Sequence, residues 1–140
     1  MQLKNIVVGV SDAATSRAAG EYAFELAALT NARVHVVTAV DDATSEVVEI
    51  GSDSFYLDDL IVAEDSIEDW IGSLDAAVGW RVHAVDDKPA DALINVARRV
   101  DADLIVVGNV RMQGLGRLLG SVGNEVSHHA PCNVLIVKTV

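Results

Sequence analysis

The stretch DLIVVGNVRMQGLGRLLGS, residues 103–121, joins a β-branched apolar run to a glycine-rich segment that ends at Ser121. An apolar run of this length predicts a strand that is buried on both faces, as in parallel sheets. The glycines predict a loop, and Ser121 begins a segment of helical period that stops before Pro131. A strand, a glycine loop and a helix start in this order can hold a phosphate group, because free backbone N–H groups and the helix dipole converge there.

Other apolar runs extend this pattern over the whole chain. Residues 5–10, 33–40 and 133–140 predict strands, as does the weaker run 80–85. Segments of helical period lie between them, at residues 13–32, 57–78, 89–100 and 121–129. Alternating strands and helices predict a single α/β domain over residues 1–140, an open five-stranded parallel sheet with helices on both faces. The one long segment without a pattern, residues 41–55, is expected to be irregular.

Apolar spacing also predicts the buried side of each helix. The first helix repeats apolar residues three or four positions apart: Ala18, Tyr22, Leu26 and Leu29. The second and third helices show similar stripes, formed by Leu60, Ile67, Trp70, Ile71, Leu74 and Val78, and by Leu93, Val96, Ala97 and Val100.

The chain is strongly acidic, with 21 Asp and Glu against 10 Lys and Arg and a net charge of −11. Residues 38–76 contain no Lys or Arg. Such a field repels nucleic-acid phosphates, so we expect no nucleic-acid partner. No apolar run approaches the length of a membrane span, and the single cysteine, Cys132, fits the reducing cytoplasm. We therefore expect a cytoplasmic protein without a membrane segment.

Ligands of parallel sheets bind beyond the carboxyl ends of the strands, where the strand order reverses. The loops after the first and fourth strands, residues 10–16 and 108–121, are the candidates. The second loop is not a Walker A loop, since no lysine precedes Ser121, and its glycines match a dinucleotide fingerprint only loosely. A loop that binds nothing remains an alternative.

Residues 103–140 resemble the C-terminal signature of the universal stress protein family. That signature is a strand, Gly, two residues, Gly, nine residues, Gly-Ser, a helix, His-Ala-Pro-Cys and a terminal strand. Residues 5–27 and 88–108 are similar to the family's opening and middle segments. The resemblance implies an adenine nucleotide alpha-hydrolase-like sheet of order 3-2-1-4-5 and a homodimer through residues 133–140. It also implies ATP or AMP as ligand in some members, with Mg²⁺ as a further expectation.

The family's nucleotide contacts carry over to the ends of the strands and to the glycine loop. Ser11 stands where the family usually has an Asp that binds the ribose hydroxyls, and Arg111 stands where the second glycine belongs, in a loop one residue short. Arg111 then either contacts phosphate or fills the site. The candidate contacts are Val10, Ser11, Asp12, Val40, Val107, Gly108, Val110, Arg111, Gly120, Ser121 and Val122.

Three functions follow from these residues. The leading one is a stress-response protein that binds an adenine nucleotide. The alternative is a nucleotide-independent dimeric interaction module whose site Arg111 closes, and the third is a slow ATPase. We identify no catalytic residue and no metal-ligand set, because the carboxylate pairs lie on the acidic segment and the serines have no histidine placed beside them. His35 and His83 lie in separate strands, where we expect hydrogen-bonded residues rather than ligands.

Overall fold

The computed structural model describes residues 2–11, 14–109 and 121–139. The strands in this part of the chain are β1 (Asn5–Gly9), β2 (Arg33–Ala39), β3 (Ser45–Ile50), β4 (Asp53–Asp58), β5 (Trp80–Val85), β6 (Leu104–Gly108) and β7 (Asn133–Val137). The helices are α1 (Ala14–Thr30), α2 (Asp59–Gly72), α3 (Pro89–Arg99) and α4 (Ser121–His129). The five predicted strands and four predicted helices are therefore all present, with ends that differ by a few residues.

Five strands form the main sheet in the order β5-β2-β1-β6-β7, and all neighbours are parallel. Numbered within this sheet, the order is 3-2-1-4-5, which confirms the predicted fold. The chain first builds outward from β1 through β2 to β5. It then returns to the other side of β1 to add β6 and β7, so the strand order reverses beside β1.

Both faces of the sheet are buried, as the β-branched runs require. Ile6, Val8 and Val36 pack with α1 and α2 on one face. Val7 and Val107, one residue out of step with them, pack with α3 and α4 on the other face. The two-residue period of a strand thus divides each apolar run between two cores.

The predicted buried stripe of α1 is wrong. Tyr22 is 45% exposed and Leu29 is 85% exposed. The buried residues are mostly small, namely Ala19, Gly20, Ala23, Phe24 and Ala27. At Gly20 a Cβ would meet the Trp70 ring at 2.6 Å, so small residues let α1 approach the sheet and α2 closely.

Residues 41–55 are not irregular, contrary to the expectation from sequence. β3 and β4 pair antiparallel in a hairpin that forms a separate two-stranded sheet. Ile50 pairs with Asp53, so the turn has only two residues. Its first residue, Gly51, has a φ of +64°, which a type II′ hairpin turn requires and glycine adopts without strain.

The hairpin leads directly into α2, which begins later and ends earlier than predicted. The Asp58 carboxylate accepts hydrogen bonds from the backbone N–H groups of Leu60 and Ile61, so it caps the helix. Among the helices in the described part of the chain, none is long and apolar enough to cross a membrane.

Candidate functional site

A cavity of about 300 Å³ opens at the carboxyl ends of β1, β2 and β6, where the strand order reverses. Its size lies at the lower end of the range for small-molecule sites, about 300–1,000 Å³. The starts of α3 and α4 close it from the other side. The cavity therefore lies where ligands of open parallel sheets bind.

Six of the residues predicted from sequence line this cavity: Val10, Ser11, Val107, Gly108, Ser121 and Val122. Val40 lies just beyond β2, where its N–H donates to the Val85 carbonyl at 2.8 Å, and its neighbour Ala39 lines the cavity instead. Four other predicted residues, Asp12, Val110, Arg111 and Gly120, lie outside the described residues. Both alternatives for Arg111 therefore stay predictions.

The β2 side of the cavity is apolar. Val37 and Ala39 come from β2, and Pro89 and Leu93 come from the start of α3. Gly9, at the end of β1, faces Leu93, and a Cβ built there would stand 3.3 Å from the leucine methyl groups. A side chain at residue 9 would therefore press into the cavity wall. This wall suits a flat apolar group.

The end of β1 presents two serine hydroxyls that contact each other. The Ser11 and Ser16 Oγ atoms are 3.0 Å apart, and the Ser11 N–H donates to Ser16 Oγ at 2.8 Å. Arg17 Nε donates to the Ser11 carbonyl at 3.4 Å, and its guanidinium lies 5.8 Å from the centre of the Trp70 ring. These contacts join the end of β1 to the first turn of α1, and both serines line the cavity.

The start of α4 supplies the opposite wall, formed by Ser121, Val122 and Gly123. The first N–H groups of a helix have no partner within it and carry the positive end of the helix dipole. Ser121 adds a hydroxyl at the same place. This end of the cavity can therefore hold an anion.

Gly108 and Asn109, which precede the rest of the glycine loop, contact residues near the C-terminus. Asn109 Oδ1 accepts from the Thr139 N–H at 2.8 Å, and the Asn109 N–H donates to the Val137 carbonyl at 3.0 Å. A Cβ at Gly108 would stand 3.3 Å from Thr139 Oγ1. The first glycine of the loop thus permits close packing against the C-terminal strand, in addition to any role toward a ligand.

None of the described lining residues has an ionisable side chain. Along the described lining, an anion would meet hydroxyl groups and backbone amides and no carboxylate. The described lining accordingly offers Mg²⁺ no carboxylate ligand. Across residues 2–11, 14–109 and 121–139, no three His, Cys, Asp or Glu side chains are placed to share a metal ion.

Sequence reasoning missed seven lining residues: Gly9, Ser16, Val37, Ala39, Pro89, Leu93 and Gly123. Pro89 and Leu93 belong to α3, which carries no ligand motif in the sequence. If α3 had been placed beside β1 and β2, both residues would have been predicted. The start of α3 lies at the carboxyl ends of these strands, where the cavity opens.

A separate polar chain crosses the α3 face of the sheet, away from the cavity. Arg99 donates to His83 Nδ1 at 3.4 Å, His83 Nε2 lies 3.0 Å from His35 Nδ1, and His35 Nε2 lies 3.1 Å from Asn5 Oδ1. Since arginine only donates, each histidine donates through Nε2 and accepts through Nδ1. The expectation of hydrogen-bonded histidines is confirmed, and this arrangement holds both rings neutral.

Burial and nearby cations act on both histidines in the same direction. The pKa of His83 is lowered to about 4, first by burial and then by the nearby charges of His35, Arg99, Arg81 and Arg33. The pKa of His35 is also lowered, first by burial and then by Arg33 and Arg81. Both causes disfavour the charged imidazolium.

Comparison with known proteins identifies the family. The sequence profile of the universal stress protein family matches residues 2–138. A universal stress protein of Methanocaldococcus jannaschii is 31% identical over 141 residues, covering 96% of this chain and 82% of that relative. One from Mycobacterium tuberculosis is 56% identical over 52 residues, a match that covers only 36% of each chain.

The fold agrees with this result. A universal stress protein solved in complex with cAMP has a TM-score of 0.75 and 30% identity to this chain, with 100% of both chains covered. Since the family profile also matches nearly the whole sequence, the chain belongs to the universal stress protein family.

Proposed function

We propose that this protein binds an adenine nucleotide in the cavity at the ends of β1, β2 and β6. The supporting observation is the pairing of an apolar wall on β2 and α3 with the hydroxyl groups and helix start on the other walls. The base lies against Val37, Ala39 and Leu93, and the phosphate lies at the start of α4. The relative solved with cAMP supports a ligand of this class.

A single phosphate suits the cavity better than three. The described lining is neutral, and the chain carries a net charge of −11, so each further phosphate charge adds repulsion. We therefore propose AMP or its cyclic form as the preferred ligand, and ATP as a weaker one.

The role is binding rather than catalysis. Hydrolysis of ATP needs a positioned water and commonly a divalent ion, and the described lining contains neither a carboxylate nor a histidine to serve it. We place this binding role in the cytoplasm, as part of a stress response.

Calorimetric titration with AMP, cyclic AMP and ATP tests the proposal. We expect saturable binding, tightest for the monophosphates, and about tenfold weaker binding by Ser121→Ala, because a hydrogen bond to a charged group contributes about 1.5–3 kcal/mol. Ser127→Ala is the matched control, since Ser127 lies on the same helix and its hydroxyl donates to the Asn124 carbonyl. No heat at millimolar nucleotide would instead support the nucleotide-independent interaction module.

We also propose a homodimer through residues 133–140. β7 forms one edge of the main sheet and pairs only with β6 in the described structure, and its Ile136 is 42% exposed. An exposed apolar edge strand tends to pair with another strand. A two-fold axis would pair the β7 strands of two copies and so cover both edges.

Light scattering should therefore give twice the chain mass. Ile136→Glu should give the monomer mass, because two buried carboxylates would face each other across the axis. Leu29→Glu, at an exposed site on α1, should leave the dimer intact. A wild-type protein that elutes as a monomer would contradict this interface.

A further inference from the structure

Three arginines stand together on the α3 face of the sheet, toward the amino ends of β2 and β5. Arg33 begins β2, and the register places Arg81 of β5 beside His35, two residues further along β2 on the same face. Arg99, the last residue of α3, donates to His83 Nδ1 at 3.4 Å. We call Arg33, Arg81 and Arg99 the arginine cluster. All three side chains are exposed.

Gly79 leaves room for the Arg33 side chain at the start of the edge strand β5. The Val34 N–H donates to the Gly79 carbonyl at 3.0 Å, so Gly79 continues the pairing of β2 with β5. A Cβ built at Gly79 would stand 3.7 Å from Arg33 Nη1. Gly79 lies two positions before Arg81 in an extended segment, where such residues share a face. Two guanidinium groups therefore approach the same end of β5.

Positive charge dominates this part of an otherwise acidic protein. Burial is the largest cause of the lowered pKa of His83, and the charges that add to it belong to His35, Arg99, Arg81 and Arg33. Burial also comes first for the pKa of His35, followed by Arg33 and Arg81. Among the described residues, no carboxylate contributes to either shift, although the chain has 21 Asp and Glu. Like charges in one place repel, and a bound anion would relieve that repulsion.

The chemistry of the guanidinium group indicates which anion fits. Its planar fork of N–H donors matches the oxygens of phosphate and carboxylate groups. A phosphate monoester carries a charge of about −1.5 to −2 on one group near neutral pH, whereas a dicarboxylate divides its charge between two groups. The net charge of −11 repels extended polyanions such as nucleic acids. A compact, highly charged anion is therefore favoured.

We propose that the arginine cluster binds the phosphate group of a small phosphorylated molecule. Arg33 and Arg81 contact its oxygens from the two strands, and Arg99 contacts them from the end of α3. The nucleotide cavity lies at the opposite ends of the strands, beside the start of α3. This proposal therefore does not depend on nucleotide binding in that cavity.

An NMR titration of the isotope-labelled protein with inorganic phosphate, at constant ionic strength, tests the proposal. We expect saturable shifts at residues 33–35, 79–83 and 99. Phosphate that enters the nucleotide cavity shifts residues 121–123, so the two sites are followed separately. Glycerol phosphate should give the same shifts at the arginine cluster as inorganic phosphate, and sodium chloride should give none.

Variants of one arginine then test the contact itself. Arg81→Gln should bind phosphate at the cluster about tenfold more weakly or worse, because a hydrogen bond between charged groups is lost. Arg81→Lys keeps the charge without the fork, so its affinity should lie between those of Arg81→Gln and the wild type. Arg98→Gln is the matched control and should bind as the wild type does. Arg98 is exposed next to Arg99 on α3, but it is not among the charges that act on His83.

Several results would overturn the proposal. Equal binding by Arg81→Gln and the wild type, with both folded by circular dichroism, would show that the arginines do not hold the phosphate. Equal shifts with chloride, or no saturation at millimolar phosphate, would show a response to ionic strength alone. Tighter binding of succinate would assign the cluster to carboxylates. Tighter binding of a phosphoserine peptide than of glycerol phosphate would make a protein segment the occupant.

Discussion

Ala39→Phe should lower the affinity for AMP by about a hundredfold or more, a loss of about 3 kcal/mol. Ala39 lines the apolar wall of the cavity, at the end of β2. A phenyl ring there would occupy much of a cavity of about 300 Å³ and take the place that we assign to the base. Titration with AMP measures the loss directly.

The same variant should keep its fold. Overpacking a filled core costs about 1–3 kcal/mol, but here the ring enters space that is already empty, so the cost should lie at the low end. Circular dichroism and the melting temperature check this. Ala28→Phe, at an exposed position of α1, is the matched control and should bind AMP as the wild type does.

Two results would contradict the proposal, one by showing that the nucleotide binds at another place and the other by showing that no nucleotide binds. If the wild type binds AMP and Ala39→Phe binds it equally well, the nucleotide lies elsewhere on the protein. If neither binds while both are folded, the cavity is not a nucleotide site. An increase in melting temperature with AMP, present in the wild type and absent in the variant, would support the assignment independently of calorimetry.

The sequence was sufficient for the main sheet because the β-branched runs dominate it. Runs such as residues 33–40 are too apolar for a half-exposed strand, and the helices between them imply parallel neighbours. It was insufficient for α1, where Tyr22 and Leu29 suggested the buried stripe. The large apolar residues did not mark the buried side of α1, because α1 packs so closely against the sheet that small residues such as Ala19 and Ala23 are buried instead.

The hairpin could have been predicted from its turn. Gly51-Ser52 separates two six-residue segments, and a glycine at the first position of a two-residue turn is a hairpin signal. The many carboxylates in these segments hid the signal, since Asp and Glu are uncommon in strands. Their presence in both strands also makes the hairpin negatively charged.

The cavity was only half predictable, because its walls come from segments remote in the sequence. Ser11 and Ser121 follow from the rule that ligands meet the carboxyl ends of strands and the starts of helices. Ala39 and Leu93 carry no motif, and only the packing of α3 against β1 and β2 brings them to the cavity.

Acid should destabilise this protein through its histidine chain. The rings of His35 and His83 are neutral in the folded state, because burial and the neighbouring arginines lower both pKa values. In the unfolded chain a histidine takes up its proton near its ordinary pKa of 6.5, whereas His83 in the fold does so only near about 4. The unfolded state thus binds more protons between these values, and the free energy of unfolding falls as pH drops through this window.

The fall due to His83 should amount to about 2 kcal/mol between pH 7 and pH 4.5. The full pKa shift would correspond to about 3 kcal/mol, and partial exposure of the ring reduces this through solvent screening. Above pH 6.5 the effect should vanish, because both states are then neutral. Urea unfolding at several pH values measures it.

His83→Gln isolates this contribution from the titrating carboxylates. The amide nitrogen of glutamine can replace Nε2 as the donor to His35 Nδ1, but it takes up no proton. We expect the variant to lose less stability in acid than the wild type, by about 2 kcal/mol at pH 4.5. The prediction would be wrong if the free energy of unfolding fell with pH equally for the wild type and His83→Gln across this window. Folding would then not lower the pKa of His83.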